Sequence, residues 1–270
     1  MFNLFDLPAQ VMAKAQQYAE RGSAELHYLQ KMISAGAFRP EPPQNLAAMV
    51  ADIRRWGEVG MIPALNARRT PDKLAIIDDE GSLTYSELDD ATNALANGLL
   101  AMGVKGGDGV AILARNHRWF TIANYAGARV GARTILLNTE FSGPQIKDVS
   151  EREGAKVIIY DEEYAEAVKL ADPPLGKLRA LGVNPDAAGP PIGEHETLAE
   201  VIARSSTAPA PKATKKSAII VLTSGTTGTP KVAQHKLSGM IYNGWLGGTL
   251  LFNERDVLMC PLPLFHVFAA

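Results

Sequence analysis

Ala218-Ile-Ile-Val-Leu222 runs directly into Thr223-Ser-Gly-Thr-Thr-Gly-Thr-Pro-Lys231. Five apolar residues, three of them β-branched, are too few for a helix and predict a buried strand. The nine residues behind it carry four threonine hydroxyls, one serine hydroxyl, two glycines that let backbone N–H groups turn inward, and one lysine charge. A loop of that chemistry suits the wrapping of a polyphosphate. Ordinary turns use the same residue types, but a turn does not need nine of them after a buried strand. The obvious competitor is the P-loop of nucleotide triphosphatases, which has Gly before its lysine and Ser or Thr after it to hold Mg²⁺. Here Pro230 precedes Lys231 and Val232 follows, so that reading fails on both sides.

Upstream, strand and helix patterns alternate. Leu74–Ile77 predicts a strand, Asp78–Gly81 a turn and Leu83–Tyr85 the hairpin partner. Thr84 with Glu87 forms a capping box that starts a helix running to Ala101 and closed by Gly103. Val110–Leu113 is a buried strand, and Asn116 is expected to cap a helix over His117–Val130 that Gly131 stops. Thr134–Leu137 and Lys156–Tyr160 are further strands. A helix from Ser142 to near Gly154 separates them, and a short acidic helix, Glu162–Leu170, follows. Repeated strand–helix–strand units imply an α/β fold with mostly parallel sheets covered by helices.

Residues 1–60 read as a helical N-terminal extension. Pro8–Arg21, Ser23–Ala35 and Gln44–Trp56 show helical spacing, Gly22 and Gly36 act as stops, and residues 39–43 form a Pro-rich break. Charges nearly cancel there, which favours an appendage packed on the main body over a polybasic membrane anchor. Residues 184–216 hold five prolines and one modest helix, Leu198–Arg204, and read as a surface linker. Lys212, Lys215 and Lys216 are then a solvated face, with the gathering of an anionic ligand as the alternative.

Composition narrows the function classes. Lys and Arg number 27 against 29 Asp and Glu, and no half of the chain is strongly basic, so a nucleic-acid partner is excluded. Apolar residues at 46% exclude disorder as the main state. The single cysteine, Cys260, rules out a disulfide framework and a Cys-based zinc site, and no metal ligands are assigned. In its apolar stretch Cys260 is expected to pack as a small hydrophobe. The start of the chain lacks a signal-peptide pattern, and the uncharged stretch Leu237–Asn253 is too rich in Gly and Asn to span a membrane. The expected location is cytoplasmic, with weak peripheral membrane contact left open.

Thr223–Lys231 resembles the phosphate-binding signature of the adenylate-forming enzymes, which include acyl-CoA synthetases, peptide-synthetase adenylation domains and luciferases. Its seven signature positions would coincide by chance on the order of once in a billion start sites. Ala64-Leu-Asn-Ala-Arg68 with Pro71-Asp-Lys-Leu-Ala-Ile-Ile77 is similar to the family's opening segment. Leu83–Leu88, Gly103–Ile112 and Gly131–Asn138 follow in the family's order, and Pro261-Leu-Pro-Leu-Phe-His266 resembles its next motif. Together these cover about two-thirds of the chain. The helices before Gly60 fit the long-chain fatty acyl-CoA ligase branch.

The resemblance implies the N-terminal portion of an ATP-dependent ligase that activates a fatty acid as acyl-adenylate and passes it to coenzyme A. Thr223, Ser224, Gly225, Thr226, Thr227, Gly228 and Lys231 would hold the β- and γ-phosphates of ATP. His266 would lie at the fatty-acid pocket, or be a hydrogen-bonded core histidine. Trp245, in the small-residue stretch Ile241–Thr249, would line an acyl tunnel or serve buried helix packing. Residues 61–270 would form a truncated adenylation domain. The adenylation lysine, the Mg²⁺ ligands and the small C-terminal domain come later in the family, so no catalytic residue is assigned and the isolated chain is expected to be inactive, with apolar faces exposed. Val232, Leu237 and Ala269 depart from the family pattern, which has Gly, His and Gly there. The alternatives are a short non-catalytic protein that binds a nucleotide or a partner, and an aryl-acid or amino-acid adenylating enzyme.

Overall fold

The computed structural model describes residues 41–181, 195–223, 231–235 and 255–265, with His27, Gln30 and Ile33; at 223 and 231–235 it describes the backbone alone. The chain divides into two units, Pro43–Leu237 with Cys260–Ala270, and Met1–Pro42 with Ser238–Met259. Every described strand belongs to the first unit. In the second, His27, Gln30 and Ile33 are helical, while Pro8–Arg21 and the rest of Ser23–Ala35 lie outside the described residues. Val257, Leu258 and Met259 of that unit are exposed.

Helix α1 (Pro43–Gly60) includes the expected Gln44–Trp56 and continues across a kink at Gly57, where φ is 76°. Helix α2 (Ile62–Arg69) has no counterpart in the sequence reading. Strands β1 (Leu74–Asp78) and β2 (Gly81–Thr84) pair as an antiparallel hairpin. Helix α3 (Tyr85–Ala101) ends where Gly103 requires it and starts on the expected capping box. There the Glu87 N–H donates to Thr84 Oγ1 at 3.2 Å, and the Thr84 N–H donates to Glu87 Oε2 at 2.7 Å.

The main sheet begins with β3 (Gly109–Leu113), whose five residues are all buried. It is followed by α4 (Arg118–Val130), β4 (Arg133–Leu136), α5 (Gly143–Arg152) and β5 (Ala155–Tyr160). The expected acidic helix is shorter than Glu162–Leu170: a 3₁₀ turn at Glu162–Tyr164 leads into the one-turn α6 (Ala165–Val168). Strand β6 (Lys177–Arg179), α7 (Leu198–Arg204), β7 (Ala218–Thr223) and β8 (Lys231–His235) complete the set. The sheet order is β6-β5-β3-β4-β7-β8, parallel throughout except for β8.

A parallel sheet covered on both faces explains why the strands read as unbroken apolar runs. On one face, Val110, Ile112, Val157 and Val221 pack with Trp56, Leu95, Phe120 and Val201 from the helices. On the other, Ala111, Leu113, Ile158 and Ile220 pack with Ile146 and Val149 of α5 and Val168 of α6. Neighbouring residues of one strand therefore feed different cores, as the two-residue repeat demands.

The stretch read as a surface linker is partly core. Leu198, Val201 and Ala210 are fully buried, and the Ala210 carbonyl accepts a hydrogen bond from Trp56 Nε1 at 3.0 Å. Helix α7 has the expected bounds; its apolar positions fill the groove along α3, where Gly98 leaves room for Val201. Lys212, Lys215 and Lys216 are exposed, as expected of a solvated face. They precede β7 and pass Gly131, whose φ is 77° and whose added Cβ would stand 2.3 Å from the Lys215 carbonyl. Glycine is required there both for the left-handed helix stop and for the close approach.

Arg129 is the largest fully buried side chain among the described residues. Its Nε donates to the Gly60 carbonyl at 3.0 Å, its Nη1 to Asn93 Oδ1 at 2.5 Å, and its Nη2 pairs with the Asp89 carboxylate. The guanidinium also lies 4.3 Å from the centre of the Trp56 ring, a cation–π distance. Burial lowers its pKa, but the donors are so well met that the charge is retained.

Candidate functional site

Strands β3 to β7 run the same way, so Leu113, Leu136, Tyr160, Arg179 and Thr223 end along one edge of the sheet. In open α/β sheets ligands bind outside the carboxyl ends of the strands. Both ends of the hydroxyl-rich stretch lie at that edge. Thr223 is the last residue of β7 and pairs in register with Lys231, the first residue of β8. The loop is thus closed by an antiparallel ladder, Ile219–Thr223 against Lys231–His235, and spans residues 224–230.

Of the expected phosphate-binding residues, Thr223 and Lys231 are placed by their backbones. Ser224, Gly225, Thr226, Thr227 and Gly228 lie outside the described residues, as do Trp245 and His266. Lys212, Lys215 and Lys216 lead into the amino end of β7, so they stand at the opposite edge of the sheet from this loop.

A second loop at the carboxyl edge, joining β3 to α4, is described in full. Its anchor is Asp161, which follows β5 and has a side chain only 2% exposed. The Arg115 N–H donates to Asp161 Oδ2 at 2.8 Å, and His117 Nε2 lies 3.0 Å from both carboxylate oxygens. His117 Nδ1 is buried without a partner. The Arg115 guanidinium pairs with Glu163.

Between them, Asn116 does not cap α4. The cap position is His117, which makes no side-chain cap. Asp78 of the hairpin meets the helix start instead. Its Oδ2 accepts the Arg118 N–H at 2.8 Å, and both its oxygens accept from the Arg118 guanidinium. Burial alone would raise the Asp78 carboxyl, but the hydrogen bonds and charge of Arg118 hold it below the usual carboxylate range.

Asn116 reaches across the edge. Its Nδ2 donates to the Cys260 carbonyl at 3.2 Å and the Leu262 carbonyl at 2.7 Å, and its Oδ1 accepts the Leu264 N–H at 2.8 Å. These three contacts settle the amide's orientation, because only the NH₂ end can meet two carbonyls. The same segment corrects the expectation for Cys260, which is exposed. Prolines at 261 and 263 keep it out of regular structure; its carbonyl is held by Asn116 and its thiol donates to the Leu262 carbonyl at 3.5 Å. No local signal marks this role of Asn116, since an asparagine before a helix reads first as a cap.

Among the described residues no group of three His, Cys, Asp or Glu side chains is placed to hold a metal, and no helix is long and apolar enough to cross a membrane. A groove of about 630 Å³ lined by Arg179, His195, Glu196, Glu200 and Arg204 lies at the far end of the sheet. Its charges are already engaged: Arg204 Nε and Nη2 each donate to Glu196 at 2.7 Å, Arg179 pairs with Glu162, and Glu200 Oε2 accepts the Thr197 N–H at 2.7 Å.

Comparison with known proteins agrees with the geometry. A family model described as AMP-binding enzyme matches residues 64–270. A long-chain-fatty-acid–CoA ligase of Mycobacterium tuberculosis, FadD13, is 33% identical over 192 residues, which are 69% of this chain and 36% of that protein. A 2-succinylbenzoate–CoA ligase of Bacillus licheniformis is 29% identical over 74% of this chain and 39% of its own length. The chain therefore spans little more than a third of the curated relatives it matches. Among solved structures, o-succinylbenzoate coenzyme A synthetase of Bacillus subtilis in complex with ATP and magnesium superposes with a TM-score of 0.57. That match covers 77% of this chain and 52% of the other at 22% identity, and it bears on the fold alone.

Proposed function

Because the chain belongs to the AMP-binding enzyme family, we propose that the protein is an ATP-dependent acid–CoA ligase whose acid is a medium- or long-chain fatty acid. The acid's carboxylate oxygen attacks the α-phosphorus of ATP, the bond from that phosphorus to its bridging oxygen breaks, and pyrophosphate leaves. The thiolate of coenzyme A then attacks the acyl carbonyl of the adenylate, and AMP leaves. The observation that carries this reading is the pairing of Thr223 with Lys231, which fixes both ends of the hydroxyl-rich loop at the carboxyl edge of the sheet.

On this reading Thr223, Ser224, Gly225, Thr226, Thr227, Gly228 and Lys231 grip the β- and γ-phosphates. The first step is chiefly a matter of holding the triphosphate in line and neutralising its charge, which donors and a cation on a fixed loop can do. His266 and Trp245 are assigned to the acid pocket. Mg²⁺ would accompany ATP, held by motifs that lie further along the chain in the family. Residues 61–270 act as part of an adenylation domain behind the helical segment 1–60. ATP and coenzyme A as co-substrates favour a cytoplasmic reaction.

An aromatic acid is the second reading, favoured by the likeness to the 2-succinylbenzoate ligase. A panel of acids offered with ATP, Mg²⁺ and coenzyme A to the protein from its native host separates the two. Fatty acids are expected to exceed aryl acids by at least about tenfold in kcat/KM. The reverse order overturns the fatty-acid reading, and no acyl-CoA from any acid overturns the ligase itself.

A further inference from the structure

We propose that Asn116 is a positioning residue, whose side-chain amide clamps Cys260–Leu264 to the carboxyl edge of the sheet and so sets the acid side of the site. The second half of that statement rests on the ligase reading above; the clamp itself does not.

Pro261 and Pro263 have no N–H to donate, so Cys260–Leu264 cannot join the sheet as a strand with a full ladder. In an extended chain the carbonyls of residues i and i+2 point to the same side. The carbonyls of Cys260 and Leu262 stand in that relation, and one NH₂ group with two hydrogens meets both. The oxygen of the same amide takes the Leu264 N–H, the next donor after Pro263. Leu264 and Phe265 then pack against the core face that includes Phe120. Polar grip and apolar packing together fix the segment in one register.

The gripping residue is itself held. Its neighbours Arg115 and His117 are both bound to the buried Asp161 carboxylate, so the β3–α4 loop cannot drift without breaking those contacts. His266 follows Phe265 in sequence. The two ends of the hydroxyl-rich stretch, by contrast, are held by the ladder between β7 and β8, where Thr223 pairs with Lys231. Loss of the clamp should therefore act on the acid and not on ATP.

The experiment replaces Asn116 with Ala, and separately with Asp, in the protein as its own gene encodes it. Asn116→Asp keeps the shape and the acceptor but removes both donors, and it serves where Asn116→Ala does not fold. Three quantities are read: amide hydrogen exchange at Leu264, and KM for fatty acid and KM for ATP in acid-dependent ATP–pyrophosphate exchange. With Asn116→Ala, Leu264 should exchange roughly tenfold faster while the amides of Val110–Leu113 keep their rates. With either variant, KM for the acid should rise roughly tenfold with KM for ATP within about twofold. Unchanged Leu264 exchange with Asn116→Ala overturns the clamp. Equal rises in both KM values, or none, overturn its role on the acid side. Should the wild-type protein show no acid-dependent exchange at all, the ligase reading fails, and Leu264 exchange still decides whether the clamp exists.

Discussion

The two ends of helix α4 serve different purposes. At its C-terminal end Arg129 is enclosed: its donors meet Gly60, Asn93 and Asp89, its face lies on Trp56, and Asn93 Oδ1 also accepts the Ala210 N–H. Two other helices, α1 and α3, meet that one cation directly, and the stretch after α7 is tied in through Asn93. At its N-terminal end the polar groups reach outward to other segments. Arg118 ties in the β1–β2 hairpin through Asp78, Asn116 holds Cys260–Leu264, and His117 leans on Asp161 with one ring nitrogen unmet. A fully satisfied buried charge specifies one packing of the helices. A row of side chains along a sheet edge sets the positions of loops instead, and loops are where ligands are met.

Substitutions at the two ends should separate these roles, beginning at the end that costs most. Arg129→Met removes the cation and leaves the Asp89 carboxylate without its partner. It should cost about 3–5 kcal/mol in denaturant unfolding, with any loss of activity tracking the unfolded fraction. Asp78→Asn at the other end should cost about 2–3 kcal/mol, because Arg118 is left partly buried without its counter-charge. The two should also differ in pH dependence. Asp78 has a lowered pKa in the folded protein, so the unfolded chain binds its proton more tightly. Its contribution is complete above the unfolded value of about 3.9 and is lost as pH falls through the lower, folded value. Wild-type and Asp78→Asn melting curves should therefore converge in acid below that value and stay apart at neutral pH. Asn116→Ala should be mildest for stability, about 1 kcal/mol or less, since the amide is exposed and water replaces its contacts. If it proves as destabilising as Arg129→Met, the two ends do not differ in the way described.

Local chemistry made much of this fold readable. The Thr84–Glu87 capping box, the stop at Gly131 and the apolar run Val110–Leu113 each follow from residues within a few positions of one another. What was hidden depends on distant partners. Strand β6 has three residues, two of them basic, and exists because β5 offers it an edge. Arg129 in an apolar helix looks like a surface charge until Trp56, from far upstream, closes over it. Cys260 sits among apolar neighbours in sequence and is nevertheless exposed, because the prolines beside it hold the chain on the surface. The candidate site divides in the same way. The loop announces itself through its composition, whereas Asn116 is visible only when Cys260–Leu264 has been brought beside it.

The ligase reading turns most directly on whether Lys231 serves adenylation. The measurement is acid-dependent ATP–pyrophosphate exchange by the protein produced from its own chromosomal locus, with and without Lys231→Ala. Exchange that requires a fatty acid and falls at least about 100-fold in the variant is expected of a cation placed on the developing charge. Exchange that is unaltered by Lys231→Ala would contradict the assignment of this loop, and its absence with every acid tried would contradict the activity.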